Sequence, residues 1–476
     1  MLKQLSAQDA SFAFMETKAS PMHIGSCYVY DRGAAANPRI AEDQIMRFYE
    51  ERLHLWTFAR QRLIRVPFDV DYPYWIEDSD FDLEYHIRRI ALPSPGDLET
   101  LKQITARIFS RPLDFSRPLW EVYIIEGVHL PGEIEDGFAV LTKTHHAAVD
   151  GTSGMHLMAT LHDPVPEPQP VPRPERPWRP DPTPSDVELM VRSGFNNFVQ
   201  PFRFAQTVAR SVSSIKLPTA DLLGGGDKAG GSQALRVVPK TRFNGQVTGH
   251  RVVGGHEFAL EELKAVRAAV PGATVNDAIL AICGGALRRY LSAKVELPGD
   301  SMIAMAPVNV RKKGDMSAGN QVSALFVPVG SEIADPLERL AAVYAATSVS
   351  KEVNNAVGAR LMTDYSQFVP AITAAQAGRL SATLAQAPNP PFNLTITNVP
   401  GPQQPIFSMG CELKTQIGLG PISHGMGLIM PVTSYCGRLM LGFTSCREMI
   451  PDPDFFTECL ADSVTEMVAV SVEALQ

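Results

Sequence analysis

Thr144-His145-His146-Ala147-Ala148-Val149-Asp150-Gly151 is the stretch whose reading decides the fold. The apolar residues 138–144 lead into it and predict a buried strand. Upstream, Trp120-Glu-Val-Tyr-Ile-Ile-Glu126 is rich in β-formers and predicts a second strand. The link 127–137 holds Pro131 and Gly132, which predicts a hairpin with a longish loop. Beyond Gly151, Thr152 or Ser153 can cap a helix with Met155, Met158 and Leu161 among its apolar positions. The two histidines thus fall where a strand gives way to loop and helix, a common place for reactive groups on a rigid scaffold.

The residue types fit proton transfer. A neutral imidazole titrates near neutral pH and can take a proton from a hydroxyl. Asp150 can orient a ring or anchor the loop through an arginine, and Gly151 permits backbone geometry that a Cβ forbids. The rival reading is structural, with two buried histidines and a capping aspartate. A two-histidine metal site is disfavoured, because neighbours on an extended strand point to opposite faces. A serine hydrolase is disfavoured too, since Gly151-Thr-Ser-Gly-Met155 lacks the final glycine of a nucleophile elbow.

Working outward, residues 22–30 predict a strand, 40–53 a helix, 81–90 a strand and 98–109 a helix, so 1–162 reads as a mixed α/β unit. Pro118-Leu119-Trp120 reads equally as supporting structure near the histidines or as a turn plus core tryptophan. Between Asp163 and Pro184 there are 10 prolines in 22 residues, which predicts an extended linker and a boundary. Residues 187–216 then mix aromatic and basic side chains at helical spacing, interrupted at Pro201. That segment suits a membrane-surface helix or a helix packed on the core. Gly224 to Gly231 fails the spacing of a phosphate loop. We read 163–240 as linker plus possible membrane-associating segment, and 241–476 as the second half.

In that second half, Thr274 with Asp277 forms a capping box opening a long helix towards Leu291. Strands are expected at 302–308, 322–329, 394–397 and 438–444, and Ala-rich helices at 341–347 and 356–384 with a break near Pro370. His424 sits in a Gly-rich loop. The net charge of −8 and pI near 5.8 argue against a nucleic-acid protein. No apolar run approaches the length of a spanning helix. The N-terminus lacks an apolar signal core, which predicts a cytoplasmic chain. The 6 cysteines form no CxxC pair, so neither structural disulfides nor a thiolate metal site is expected.

The His-His-x-x-x-Asp-Gly string resembles the acyltransferase superfamily of chloramphenicol acetyltransferase and the peptide-synthetase condensation domains. Asp9-Ala-Ser-Phe12, Glu16-Thr17, Pro21-Met-His-Ile-Gly25, Arg117-Pro-Leu-Trp120, Phe243-Asn-Gly245, Ala273-Thr-Val-Asn-Asp277, Gly319-Asn-Gln-Val322 and Asn398-Val-Pro-Gly-Pro402 narrow it. Together they resemble the bacterial wax ester synthase/acyl-CoA:diacylglycerol acyltransferase family, from the first ten residues to the last fifty. The resemblance implies an α/β fold with mixed sheets, in two chloramphenicol-acetyltransferase-like halves with the active site at their interface.

It also implies transfer of a long acyl chain from acyl-CoA, a substrate and not a cofactor, to diacylglycerol or a fatty alcohol. His146 would be the general base, His145 its support and Asp150 a loop anchor, with Arg311 as candidate ion-pair partner. Asn276 is a candidate oxyanion donor, and Asn276-Asp277 reads as motif or as simple capping. No metal is implied. A C16 chain gains about 12 kcal/mol on leaving water, at roughly 0.8 per methylene, but enjoys most of that already in a bilayer. Peripheral attachment to the inner membrane or lipid inclusions is therefore expected. Two alternatives stay open: a same-fold acyltransferase acting on a polyketide or glycolipid hydroxyl, and a non-catalytic lipid-droplet binding protein.

Overall fold

Two long strands, Trp120–Leu130 and Ile134–His145, carry the paired histidines to the end of a sheet. The computed structural model describes residues 2–33, 40–56, 58–149, 157–174, 177–180, 182–212, 238–309, 322–357, 371–384 and 390–476. Asp150, Gly151 and Arg311, and the turn joining the histidines to the helix expected after them, lie outside the described residues. The hairpin is tighter than expected. Its strands continue to Leu130 and Ile134, and ladder irregularities on either side of Val128 absorb the mismatch. Gly127, with φ +81, takes the left-handed backbone that the first irregularity needs.

Among the described residues the first large sheet runs Phe407–Ser408, Cys411–Leu419, His23–Asp31, Ile134–His145, Trp120–Leu130, Ile87–Ala91. The second runs Val322–Pro328, Ile303–Asn309, Leu394–Val399, Leu428–Tyr435, Arg438–Cys446, Arg251–Ala259. Both mix parallel and antiparallel pairs, as the α/β expectation requires. Cys411–Leu419 comes from the C-terminal part of the chain yet pairs with His23–Asp31. The first half is thus completed by the second. A shared core makes the same point: Val253 of the second sheet packs with Cys27, Leu141 and Ile417 of the first and with Phe109 of the helix Leu98–Phe109.

The second half is built on the helix Val275–Ala293, whose Ile279, Ile282 and Leu287 are buried. Gly284 sits inside this helix against the expected propensity. A Cβ there would come within 1.9 Å of the Val329 carbonyl oxygen, so close strand packing requires the glycine.

Two local expectations are corrected. Residues 81–90 do not form one strand: the Asp82 carboxylate accepts from the Glu84 N–H and caps a short helix, Leu83–His86, before the strand Ile87–Ala91. The aromatic segment is not interrupted at Pro201, because a helix spans Asp186–Val212; the proline removes one backbone hydrogen bond there without ending the helix. The proline-rich link is strapped to the first half. Trp178 donates to Glu77 Oε2 at 2.7 Å and lies under the Arg60 guanidinium, while Asp163 exchanges backbone bonds with Phe407. Among the described residues, no helix is long and apolar enough to cross a membrane.

Candidate active site

Strand pairing separates the adjacent histidines. The His145 N–H donates to the Leu119 carbonyl on one neighbouring strand segment (2.9 Å), and the His146 N–H donates to the Met22 carbonyl on the other side (2.8 Å). A turn then closes, with the Ala148 N–H donating to the His145 carbonyl. The two rings consequently enter different surroundings.

His145 is fully buried and both ring nitrogens are used. The Ala147 backbone N–H donates to Nδ1 at 3.0 Å, so the proton of the neutral ring sits on Nε2 and is donated to Glu16 Oε2 at 3.0 Å. The same carboxylate oxygen accepts the Met22 N–H at 2.7 Å. The Phe115 ring meets His145 edge-on at 5.3 Å. Glu16, Leu113 and Phe115 also line a cavity of about 400 Å³ with Arg65 and Lys18 at its wall. His146, by contrast, is half-buried, and its ring stacks on Phe12 with centroids 3.9 Å apart and planes 10° apart.

A rigid floor lies beneath. His23 faces His145 across the ladder and donates from Nε2 to the Phe109 carbonyl at 2.6 Å. Burial, and next the charge of Lys143, hold its pKa well below the ordinary histidine value. Lys143 is itself fully buried and donates to Glu121 Oε2 (3.0 Å) and the Arg111 carbonyl (2.7 Å). Burial lowers its pKa although Glu121 opposes the shift. Pro118, Leu119 and Trp120 hold the strand end. Pro118 bridges to Arg62, Leu119 supplies the carbonyl for His145, and the Trp120 indole donates to the Ala59 carbonyl at 2.8 Å and stacks on His86.

The second half reaches this place in three ways. The helix Ala371–Leu384 brings Ala371 and Ala375 into one apolar cluster with Ala13, Leu119 and Ala147. Arg251 donates to the Ala19 carbonyl at 2.7 Å, holding the loop that carries Glu16. Cys411–Leu419 flanks His23–Asp31. The histidine turn therefore lies where the halves meet.

Asn276 and Asp277 open the helix of the second half. Asp277 is fully buried: its Oδ2 closes the capping box with the Thr274 N–H and hydroxyl at 2.7 Å each, and its Oδ1 accepts the Thr347 hydroxyl at 2.6 Å. Asn276 is exposed and accepts from the Asn398 amide at 2.7 Å, joining two motif segments that lie far apart in sequence. Among the described residues, these bonds stay within the second half and do not touch His145 or His146. His424 accepts the Val247 N–H at Nδ1, and burial lowers its pKa.

Sequence reasoning left Phe12, Glu16, Met22 and His23 without individual roles, although each falls in a quoted motif segment. The signal was their nearness to the N-terminus as a group; what was missing was the register that pairs His23 with His145.

Solved structures share the fold. A wax ester synthase/diacylglycerol acyltransferase from Marinobacter aquaeolei VT8 superposes with TM-score 0.67 at 24% identity, covering 99% of this chain and 100% of that one. Trichothecene 15-O-acetyltransferase from Fusarium sporotrichioides superposes with TM-score 0.57 at 11% identity, covering 98% and 95%. The fold is the two-halved α/β architecture of the chloramphenicol-acetyltransferase type.

Residues 5–279 match the wax ester synthase/diacylglycerol acyltransferase catalytic domain, and 318–468 match the C-terminal domain of the same family. A Mycobacterium tuberculosis relative, named provisionally as a diacylglycerol O-acyltransferase, is 32% identical over 467 residues, 97% of this chain and 90% of its own. The chain belongs to the wax ester synthase/diacylglycerol acyltransferase family and is an acyltransferase enzyme.

Proposed function

We propose that this enzyme moves a long acyl chain from acyl-CoA to the hydroxyl of diacylglycerol or a long-chain alcohol, with His146 as general base and no cofactor. The observation that carries the assignment is the division at the strand end. His145 has both ring nitrogens committed to Ala147 and Glu16, whereas His146 stands half-buried at the junction of the halves. His146 takes the proton of the hydroxyl as its oxygen attacks the thioester carbon. The tetrahedral intermediate collapses by breaking the C–S bond, and the same proton passes to the departing thiolate, giving ester and free CoA. Asn276, an exposed amide at a helix start, remains the candidate for stabilising developing negative charge.

Direct transfer agrees with four of the six thiols. Burial pushes Cys27 up to about 12 and Cys411 and Cys459 up to about 11, and raises Cys283 as well. An acyl-accepting cysteine needs the opposite shift.

The acceptors of this reading reside in lipid, so the enzyme works as a peripheral protein at a membrane or lipid inclusion. Purified protein given palmitoyl-CoA with diacylglycerol, hexadecanol, a glycolipid or a polyketide alcohol tests the assignment. Ester formation on the first two supports it. Ester formation confined to the others moves the protein to another acceptor class, and no ester with any alcohol leaves a lipid-binding protein.

A further inference from the structure

One side chain of the second half holds the segment on which both histidines rest. The helix Ala7–Met15 carries Phe12, whose ring stacks on His146, and Glu16 follows it, its N–H donating to the Phe12 carbonyl. Residues 17–22 then close into a tight loop. Thr17 and Ser20 exchange backbone bonds of 3.3 and 3.0 Å, and the Glu16 carboxylate takes the Met22 N–H at 2.7 Å. Both ends of the loop touch the histidine pair. Glu16 Oε2 accepts the His145 Nε2–H at 3.0 Å, and the Met22 carbonyl accepts the His146 N–H at 2.8 Å. A shift of this loop therefore moves the supports of both histidines together.

The loop is pinned from outside the first half. Arg251 opens the strand Arg251–Ala259 and is 6% exposed. It donates from Nη2 to the Ala19 carbonyl at 2.7 Å, across 232 positions of sequence, and from Nη1 to the Thr248 carbonyl. Among the described residues, no ion pair forms at its guanidinium. Glu448 favours the charge from a distance but gives its own oxygens to the Thr248 hydroxyl at 2.5 Å and to His250 at 3.4 Å. Burial lowers the Arg251 pKa to about 10, which leaves it charged at neutral pH. Cations buried this deeply are normally paired with a carboxylate. Here the charge-assisted bonds go to two carbonyls, and one of them belongs to the other half. The charge also reaches His23, where it acts behind burial, Lys143 and His145 to keep that ring neutral.

We propose that Arg251 is a positioning residue for acyl transfer: from the second half it fixes the loop 17–22, and through Glu16 and Met22 it aligns the two histidines. It acts through these groups and not on the substrates. The inference rests on the reading of His146 as base. It makes the histidine turn depend on the joining of the halves, since the first half supplies the rings and the second supplies the cation that holds their support.

The test compares full-length wild type with Arg251→Met and Arg251→Lys. Arg251→Met should lose turnover of palmitoyl-CoA with hexadecanol by about 10- to 10²-fold, the cost of a small misplacement, with KM for both substrates held. Arg251→Lys keeps one donor for the Ala19 carbonyl and should regain most of the turnover. Glu16→Gln combined with Arg251→Met should be no slower than the worse single variant, because both cut the same path. Backbone hydrogen exchange read by mass spectrometry should quicken in peptides covering 16–22 and 143–148 and stay at the wild-type rate in the helix Val275–Ala293.

Full turnover in folded Arg251→Met overturns the proposal, as does a multiplicative loss in the combined variant. So does faster exchange that extends through Val275–Ala293, which marks a general loosening. Should Arg251→Met fail to fold, Arg251→Gln replaces it in each measurement, and failure of both to fold makes Arg251 a structural anchor and overturns the proposal too. Local exchange that quickens in Arg251→Met while wild type forms no ester with any alcohol would leave the link to the histidine turn standing and remove the transfer reading. Ester formation by wild type and Arg251→Met alike would do the reverse.

Discussion

The strand end at His145–His146 and the helix start at Asn276–Asp277 solve one problem in two ways. Each places two polar neighbours at the edge of a regular element. In each, one member is locked: His145 by Ala147 and Glu16, Asp277 by Thr274 and Thr347. The other stands more open, His146 on Phe12 and Asn276 beside Asn398. A strand separates its pair by alternation, sending successive side chains to opposite faces. A helix start separates its pair by capping, because the third helical position folds back onto the cap while the second faces outward. Neighbouring residues of one motif thus divide into a locked member and a more open one.

The largest effect should come from the strand end. His146→Ala should lower turnover by roughly 10² to 10⁴-fold, the range of a positioned general base, with the melting temperature held. His145→Ala should spare more of the chemistry and lower the melting temperature, since the Ala147 N–H and the Glu16 carboxylate lose their partner. Initial rates and thermal melts on the same preparations check both, and a reversed pattern breaks the comparison.

Acidification sharpens it, because the first half is packed around neutral imidazoles. His162 accepts the Tyr30 hydroxyl at Nε2 and donates from Nδ1 to the Met158 carbonyl, and burial pushes its pKa down to about 4. Unfolded histidine titrates near 6.5. Above that pH both states are neutral and stability is full. As pH falls from about 6.5 to about 4 the unfolded chain takes the proton first, so stability is lost, on the order of 3 kcal/mol for this group. His23, also lowered by burial, acts in the same direction. Urea midpoints measured at neutral and acidic pH should show the fall, and replacing His162 by a neutral residue should flatten it.

The smallest effects belong to the helix start. Asp277→Ala should cost about 2–3 kcal/mol, combining a lost cap with a stranded Thr347 hydroxyl. Asn276→Ala, at an exposed pair, should stay within about 0.5 kcal/mol in denaturant titration. Equal losses in the two would show that Asn276 is a second anchor.

Much of this was legible in the chain itself. The strand into His145 and the capping box at Thr274 follow from local pattern, which hydrophobic period and cap chemistry encode directly. The Glu16 bond to His145 was not, because it joins residues far apart in sequence through a sheet register. Nor was the crossing of Cys411–Leu419 into the first sheet, since strand partners leave no local mark. The packing of the helix Asp186–Val212 was left open for another reason: helical spacing does not say which face turns inward, and the bonds of Asn196 to Asp71 and Tyr74 do.

The central claim is that His146 activates the acceptor directly and that no enzyme group carries the acyl chain. Intact mass after rapid acid quench of enzyme and palmitoyl-CoA, without alcohol, tests it most directly. The account predicts the unmodified mass. A stoichiometric increase of one palmitoyl group that disappears on adding alcohol would contradict it and transfer the chemistry to a nucleophile such as a cysteine.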